Sequence, residues 1–391
     1  MKSLVIRAPL LTLSGYGTHS RQVFKWARQS QKFSTILTQP VPWGMTTWLI
    51  NPDSHDGLVG DIMSRTASPN LSNSKFDVSI QLILPNEWDP NLARVNIGMT
   101  AAVETDRCNP EWISACNRMH AIIVPSNHTK NVLENTGRLH VPIYVVPESY
   151  IESIDDEDST KDLGIELDTS FNFLTVGQIT GHNPENDRKN MFYLVKWFCE
   201  TFSDDEEVGL IIKTNSGKNT KIDKSVTEKM MSQLLKEVRK GPYPKVHLVH
   251  GSMSEKEISA LYKHSSVKAY VSLTRGEGFG LPLLEAAASG VPVIVTNWSA
   301  HLDFLNKGKF IPVDYELKEI DQSRIDNQVF MQGSKWAHAK EEDFKRRIEK
   351  FRKSSSVPMQ WAEKLKKTLR KEYSQKSISE KYEQVFSEII K

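Results

Sequence analysis

Two glutamates, Glu277 and Glu285, are separated by seven residues in the stretch RGEGFGLPLLEAAASGVPVIVT (275–296), one on each side of a Gly278-Phe279-Gly280 loop. Carboxylates accept hydrogen bonds from sugar or ribose hydroxyls, and the amides of a glycine loop entering a helix take a phosphate. Pro282 fits the first helical position and Gly290 the position just past the end, so the spacing predicts a helix over 282–289 with Glu285 in its first turn. A helix dipole favours an acid there by ~0.3–1 kcal/mol, which accounts for Glu285 and leaves Glu277 without a structural reason. A second glycine-bearing stretch, LSGYGTHSRQVF, holds Gly15, Tyr16 and Gly17. Its glycines let the backbone approach a ligand, and Thr18 or Ser20 is a candidate cap for the helix behind it; plain turn chemistry is the alternative.

Something must hold these loops. At 391 residues the chain exceeds one ordinary core and suggests two domains. Short β-rich runs alternate with helical patterns from KSLVIRAPL to VPIYVVP, and again from FNFLTVG to VPVIVT, which predicts two doubly wound α/β halves of parallel strands. Between them, residues 152–168 carry eight acidic side chains against one lysine and read as a linker. The expected domains are 1–160 and 165–375, with a last helix over 376–391 returning to the first. Ligands of open α/β sheets bind beyond the carboxyl ends of the strands, so two such halves facing across a cleft would share one site.

Composition narrows the class further. The chain is 39% hydrophobic and 25% charged with net charge +2, and no apolar run approaches the roughly 18 residues of a membrane span. No signal-peptide pattern is visible, and three cysteines without a CxxC pair suit a reducing compartment, so a cytoplasmic location is expected. Residues 335–391 carry sixteen basic against nine acidic side chains, most simply a solvated helix face, with a polyanion-binding face as the alternative. No aspartate pair stands at a strand end, which predicts no catalytic metal; no cofactor beyond the substrate is expected.

The run from Lys245 to Leu305, with EGFGLPLLE at its centre, resembles the donor-binding domain of the retaining GT-B glycosyltransferases of group 1, the glycogen- and sucrose-synthase-like family. VGQITGHNPENDRKNMFYLVKWF (176–198) extends the likeness. The resemblance implies a GT-B fold and a metal-independent transfer of a sugar from a nucleotide diphosphate, by default UDP-glucose, to a hydroxyl acceptor. It implies that Glu277 lies near hydroxyls of the transferred sugar and that Glu285 binds the ribose. The amides of Gly278, Phe279 and Gly280, with Leu281 beside them, would meet the diphosphate. An arginine and a lysine usually neutralise that diphosphate; here Gln178 stands at the arginine position, Lys189 matches the lysine, and Arg188 or Lys213 could supply the missing charge. Where many relatives carry a histidine this chain has TAAVETDRC, so Glu104, Thr105 or Asp106 would serve, Glu104 as the candidate for contact with sugar or acceptor. Tyr16, His19, Trp88 and Trp298 are candidate stacking surfaces. A glycan or glycoconjugate is the expected acceptor. A hydroxymethylated DNA base, a nucleotide-sugar epimerase on the same fold and a non-catalytic sugar-binding relative are the alternatives.

Overall fold

The computed structural model describes residues 1–66, 76–101, 104–156, 163–215 and 217–390. Two compact units divide the chain: Met1–Val103 with Arg107–Ser149 and Gln375–Lys391, and Glu104–Asp106 with Tyr150–Ser374.

The first unit runs β1 (Lys2–Ala8), α1 (Gly15–Gln29), β2 (Phe33–Pro40), α2 (Leu58–Ser64), β3 (Phe76–Leu82), β4 (Ala93–Met99), α3 (Pro110–Cys116), β5 (Ala121–Val124), α4 (Asn127–Thr136) and β6 (Ile143–Val145). Its six strands are parallel in the order β2-β1-β3-β4-β5-β6. Central strands such as LVI (4–6) are fully buried, as a parallel sheet covered on both faces requires.

The second unit runs β7 (Phe171–Val176), α5 (Met191–Thr201), β8 (Val208–Thr214), α6 (Lys221–Val238), β9 (Lys245–His250), α7 (Glu255–Tyr262), β10 (Val267–Ser272), α8 (Leu281–Ala288), β11 (Val293–Thr296), α9 (Leu302–Leu305) and β12 (Ile311–Val313). The strand order is β12-β11-β10-β7-β8-β9, all parallel, so the order reverses between β7 and β10. Such a switch point leaves a crevice at the strand ends, and the loops after β7 and β10 both open there. A core of Phe171, Phe173, Phe198, Leu210, Val271, Phe344 and their neighbours fixes the sheet beneath it.

An antiparallel hairpin of β13 (Tyr315–Glu319) and β14 (Lys335–Ala339) follows, which the alternation of apolar runs did not suggest. Three helices close the chain: α10 (Glu341–Lys353), α11 (Ser356–Glu372) and α12 (Gln375–Ile389). α12 belongs to the first unit, where the Tyr382 hydroxyl meets His19 at 3.0 Å and Phe386 packs 4.5 Å from the ring of Trp26.

The acidic stretch read as a linker is in part folded. Glu152–Asp155 forms a 3₁₀ turn with Ile154 fully buried, and the Ser153 hydroxyl donates to the Glu255 carbonyl at 2.8 Å. Residues 157–162 of that stretch lie outside the described residues.

Candidate active site

Glu277 follows β10 in the loop TRGEGFG and is buried. Its Oε1 receives Lys189 Nζ at 2.6 Å and the Thr274 hydroxyl at 2.8 Å, while Oε2 lies 3.4 Å from Arg188 Nη1. Burial alone would raise its pKa, but the charges of Lys189 and Arg188 and the hydrogen bonds from Lys189 and Thr274 outweigh that and hold it at about 2. The carboxylate is charged throughout the physiological range. Arg188 reaches further, with Nη1 on the Gly276 carbonyl at 2.7 Å and Nη2 on Glu104 Oε1 at 3.2 Å.

Two residues that sequence reasoning missed place Glu277. The Ser299 hydroxyl accepts the Glu277 N–H at 3.0 Å, and Ser299 adopts φ +89°, a region that a non-glycine residue occupies only when its surroundings impose it. His301, fully buried and kept neutral by that burial, bonds the Thr296 carbonyl at 2.8 Å and flanks Ser299 Oγ at 3.4 Å. Nothing in NWSAHL marks these residues in one dimension, because their partner lies some twenty positions upstream.

Arg188 and Lys189 are fixed by Asp187, a fully buried carboxylate that accepts from Thr180 N, Thr180 Oγ1, Lys189 N and Met191 N. Asp187 therefore ties the loop after β7 to the start of α5. Arg275, also fully buried, grips the same loop through the carbonyls of Glu185 and Pro184 at 2.7 and 2.8 Å, and its guanidinium lies 5.2 Å from the Trp336 ring on β14. Glu104 comes close because Gly276 has no side chain: a Cβ there would collide with the Glu104 carbonyl. Asp106 continues the contact, its carboxylate accepting the Lys335 N–H at 2.6 Å.

Helix α8 begins at Leu281, so Pro282 is its second residue and Glu285 sits in the second turn, one residue later than the expected boundaries imply. Gly280 precedes it at φ +102°, and no side chain caps the helix N-terminus. The positive end of its dipole is thereby left without a side-chain cap, while the Leu283 and Leu284 N–H groups both donate to the Gly280 carbonyl, at 3.0 and 3.1 Å. Phe279 turns inward onto Phe304, with ring centroids 5.4 Å apart. Glu285 is buried, accepts the Tyr262 hydroxyl at 3.2 Å, and has its pKa pushed up to about 8 by burial, which that hydrogen bond offsets only in part.

Lys189, Glu277, Pro282 and Leu283 line a small open recess together with Thr175, Gly177 and Tyr270 at the ends of β7 and β10. Gln178 stands half-buried in the loop just beyond. Lys213 is not among the lining residues; its ammonium donates to the Gly251 carbonyl, and burial lowers its pKa. Among the described residues no group of three or more His, Cys, Asp or Glu side chains could hold a metal ion.

In the first unit Ser14, not Thr18 or Ser20, caps α1 by accepting the Gly17 N–H at 2.9 Å. Gly17 packs against the Thr12 carbonyl where no Cβ fits, whereas Gly15 faces open space. Tyr16 stacks on Trp43 at 3.9 Å, and its hydroxyl bonds Thr100 Oγ1 and the Ala101 N–H at 3.0 and 2.9 Å, pinning the first turn of α1 to the residues just after β4. The other aromatic candidates have structural surroundings: Trp88 fills the space beside Gly98, and Trp298 packs against the cluster of Ile320, Phe330 and Trp336.

Two six-stranded parallel units, the second with its charged loop at the switch point, make a GT-B fold, as solved structures bear out. Sucrose-phosphate synthase from Thermosynechococcus elongatus is similar over 100% of this chain and 99% of its own, with a TM-score of 0.64 at 11% identity. HepE from Anabaena, solved with UDP-glucose, is similar over 99% of this chain and 100% of its own, with a TM-score of 0.64 at 10% identity. The pneumococcal O-GlcNAc transferase GtfA, solved with UDP and GlcNAc, matches 80% of this chain with a TM-score of 0.51 at 14% identity, and this chain spans only 57% of its length. Residues 189–368, a little under half of the chain, match the family described as glycosyl transferases group 1. No curated protein matches the sequence.

Proposed function

We propose that the protein transfers a hexose from a UDP-sugar, by default UDP-glucose, to a hydroxyl acceptor with retention at the anomeric carbon and without a metal. The observation that carries this reading is the arrangement around Glu277: an ionised carboxylate between Lys189 and Arg188, facing a recess at the uncapped start of α8. A diphosphate laid on the amides of Gly278, Phe279, Gly280 and Leu281 would draw Lys189 away from Glu277, freeing Oε1 for a sugar hydroxyl. Glu285, at the second turn of the same helix, would accept a ribose hydroxyl.

The reaction breaks the bond from C1 to the diphosphate oxygen and forms the bond from C1 to the acceptor oxygen on the same face. The acceptor proton passes to the departing diphosphate, whose charge Lys189 and Arg188 stabilise as it develops. Relatives in structure solved with UDP-glucose or with UDP and GlcNAc support the donor class. A glycan or glycoconjugate is the proposed acceptor.

Radiolabelled UDP-hexoses incubated with glycans, lipid-linked sugars and hydroxymethylated DNA test the reading directly. Label should move to a glycan, with slow hydrolysis of donor when acceptor is omitted. Interconversion of the donor sugar would indicate an epimerase, label in DNA would replace the glycan as acceptor, and a product of inverted anomeric configuration by NMR would sink the mechanism. Binding of UDP-sugar without any turnover would leave a non-catalytic relative.

A further inference from the structure

Among the described residues five other than glycine hold a positive φ, a conformation that costs a side chain energy unless its surroundings impose it. His55, Asp56 and Asn327 stand in loops and keep part of their surface in solvent. Asn190, at φ +56°, and Ser299, at φ +89°, are the two that are buried. Both adjoin the Lys189–Glu277 pair, one on each partner: Asn190 follows Lys189 in the chain, and Ser299 bonds the Glu277 backbone. Backbone strain of this kind persists where a site needs a geometry the chain would otherwise avoid.

Ser299 lies in the turn from β11 to α9, with the Leu302 N–H on its carbonyl at 3.2 Å. Its hydroxyl oxygen accepts the Glu277 N–H at 3.0 Å, and His301 gives that hydroxyl its direction. His301 Nε2 lies 2.8 Å from the Thr296 carbonyl, which can only accept, so Nε2 carries the proton of the neutral ring and Nδ1 offers a lone pair. The Ser299 hydroxyl donates to that lone pair at 3.4 Å. Three donors, Glu277 N–H, Ser299 O–H and His301 Nε2–H, thus run one way toward the last residue of β11. The same turn holds the donor loop elsewhere too: the Ala300 N–H reaches the Glu277 carbonyl at 3.4 Å, and a Cβ on Gly280 would lie 3.3 Å from the His301 Cβ.

Asn190 works by its backbone. Its side chain does not cap α5, and Oδ1 has only a long bond from Arg275 Nη2 at 3.4 Å. Its φ +56° and ψ +35° turn the chain between Lys189 and Met191, the first residue of α5, with the Asn190 N–H on the Asp187 carbonyl at 3.0 Å. From that turn Lys189 places Nζ 2.6 Å from Glu277 Oε1. Glycine enters the left-handed region freely, and alanine avoids it.

We propose that Ser299 and Asn190 are positioning residues that set the Lys189–Glu277 pair for the donor, Ser299 by its hydroxyl and Asn190 by its left-handed backbone. They act on different constants. Glu277 meets the transferred sugar, so Ser299 governs the rate of cleavage at C1, whereas Lys189 meets the diphosphate, so Asn190 governs donor affinity. Both assignments rest on the nucleotide-sugar reading of the site.

The test uses the whole chain as wild type, S299A, S299G, N190A and N190G, with three measurements: the Kd for UDP by titration calorimetry, kcat for UDP-glucose hydrolysis, and the ligand-free Tm. S299A removes the hydroxyl and keeps a side chain in the left-handed region, while S299G removes both, so S299G should melt above S299A. Both should nonetheless lower kcat at least about tenfold and leave the Kd for UDP within about twofold. A kcat that recovers in S299G along with the Tm, or that equals the wild type in S299A, overturns the role of Ser299. Should S299A fail to fold, S299G decides alone: wild-type kcat overturns the role, and a tenfold loss at unchanged Kd supports it. N190A should raise the Kd for UDP at least about fivefold, and N190G should recover most of that loss. Wild-type affinity in N190A, or a folded N190G as weak as N190A, overturns the role of Asn190. A wild type that does not bind UDP, or does not turn over UDP-glucose, overturns the donor reading and both roles with it, a result distinct from wild-type activity that survives in the variants.

Discussion

A carboxylate between two cations makes the Lys189–Glu277 pair a matter of stability as well as chemistry. Removing one partner of a buried pair leaves a charge without its neutralising neighbour, although Arg188 remains here, so Lys189→Ala is expected to lower ligand-free stability by about 2 kcal/mol. The same variant should lower kcat/KM at least tenfold, about 1.4 kcal/mol, through the lost diphosphate contact. A calorimetric Tm equal to the wild type, together with unchanged kinetics, would contradict both roles. Glu285 behaves oppositely. Its pKa in the folded protein is about 8 and its ordinary value 4.5, so the folded state keeps it neutral while the unfolded chain ionises. Its contribution to stability is complete below pH 4.5 and is lost as pH rises through about 8. Glu285→Gln should abolish that loss, and a wild-type urea midpoint that does not fall between pH 5 and 8 relative to the variant would show the carboxyl to be ionised. Glu277 has the reverse sign, stabilising above pH 4.5 and losing its contribution as pH falls toward 2.

At the scale of elements, what could be read in one dimension was what local signals encode. The start of α8, the loop before it and both glutamates stood in a single run of nine residues, and the helix shifted by one residue at each end, because Leu281 joins it ahead of Pro282 and Ser289 caps it. The hairpin was not legible. YELKE is mostly polar and exposed, its pairing partner β14 is the buried strand, and the contact that fixes the hairpin joins Arg275 to Trp336, far apart in sequence. Ser299 and Asp187 escaped for the same reason, since their roles depend on partners from other loops. Gly280 is the element-scale test. At φ +102° an alanine costs roughly 1 kcal/mol of backbone strain and turns the amides of α8 away. Gly280→Ala should therefore raise the Kd for UDP by more than the small fall in Tm accounts for, and a variant that binds UDP as the wild type does would remove the helix start from the donor site.

For the molecule as a whole, α12 is the element whose sequence position and structural membership disagree. It follows α11 of the second unit yet packs in the first, where Tyr382 and Phe386 are fully buried against α1. Phe386→Ala should cost about 3–5 kcal/mol, and it should lower the unfolding midpoint of the first unit. A change below 1 kcal/mol would mean that α12 is dispensable to that unit. Domains emerging from a ribosome ordinarily fold in the order in which they are made. Here the order is inverted: Tyr150–Ser374 is complete as soon as its last helix has been synthesised, while Met1–Ser149, made first, has an uncovered apolar face on α1 until residues 375–389 arrive. Until α12 is made, then, the older unit is the one with exposed apolar surface and the greater need of a chaperone, and Gln375–Ile389 covers it.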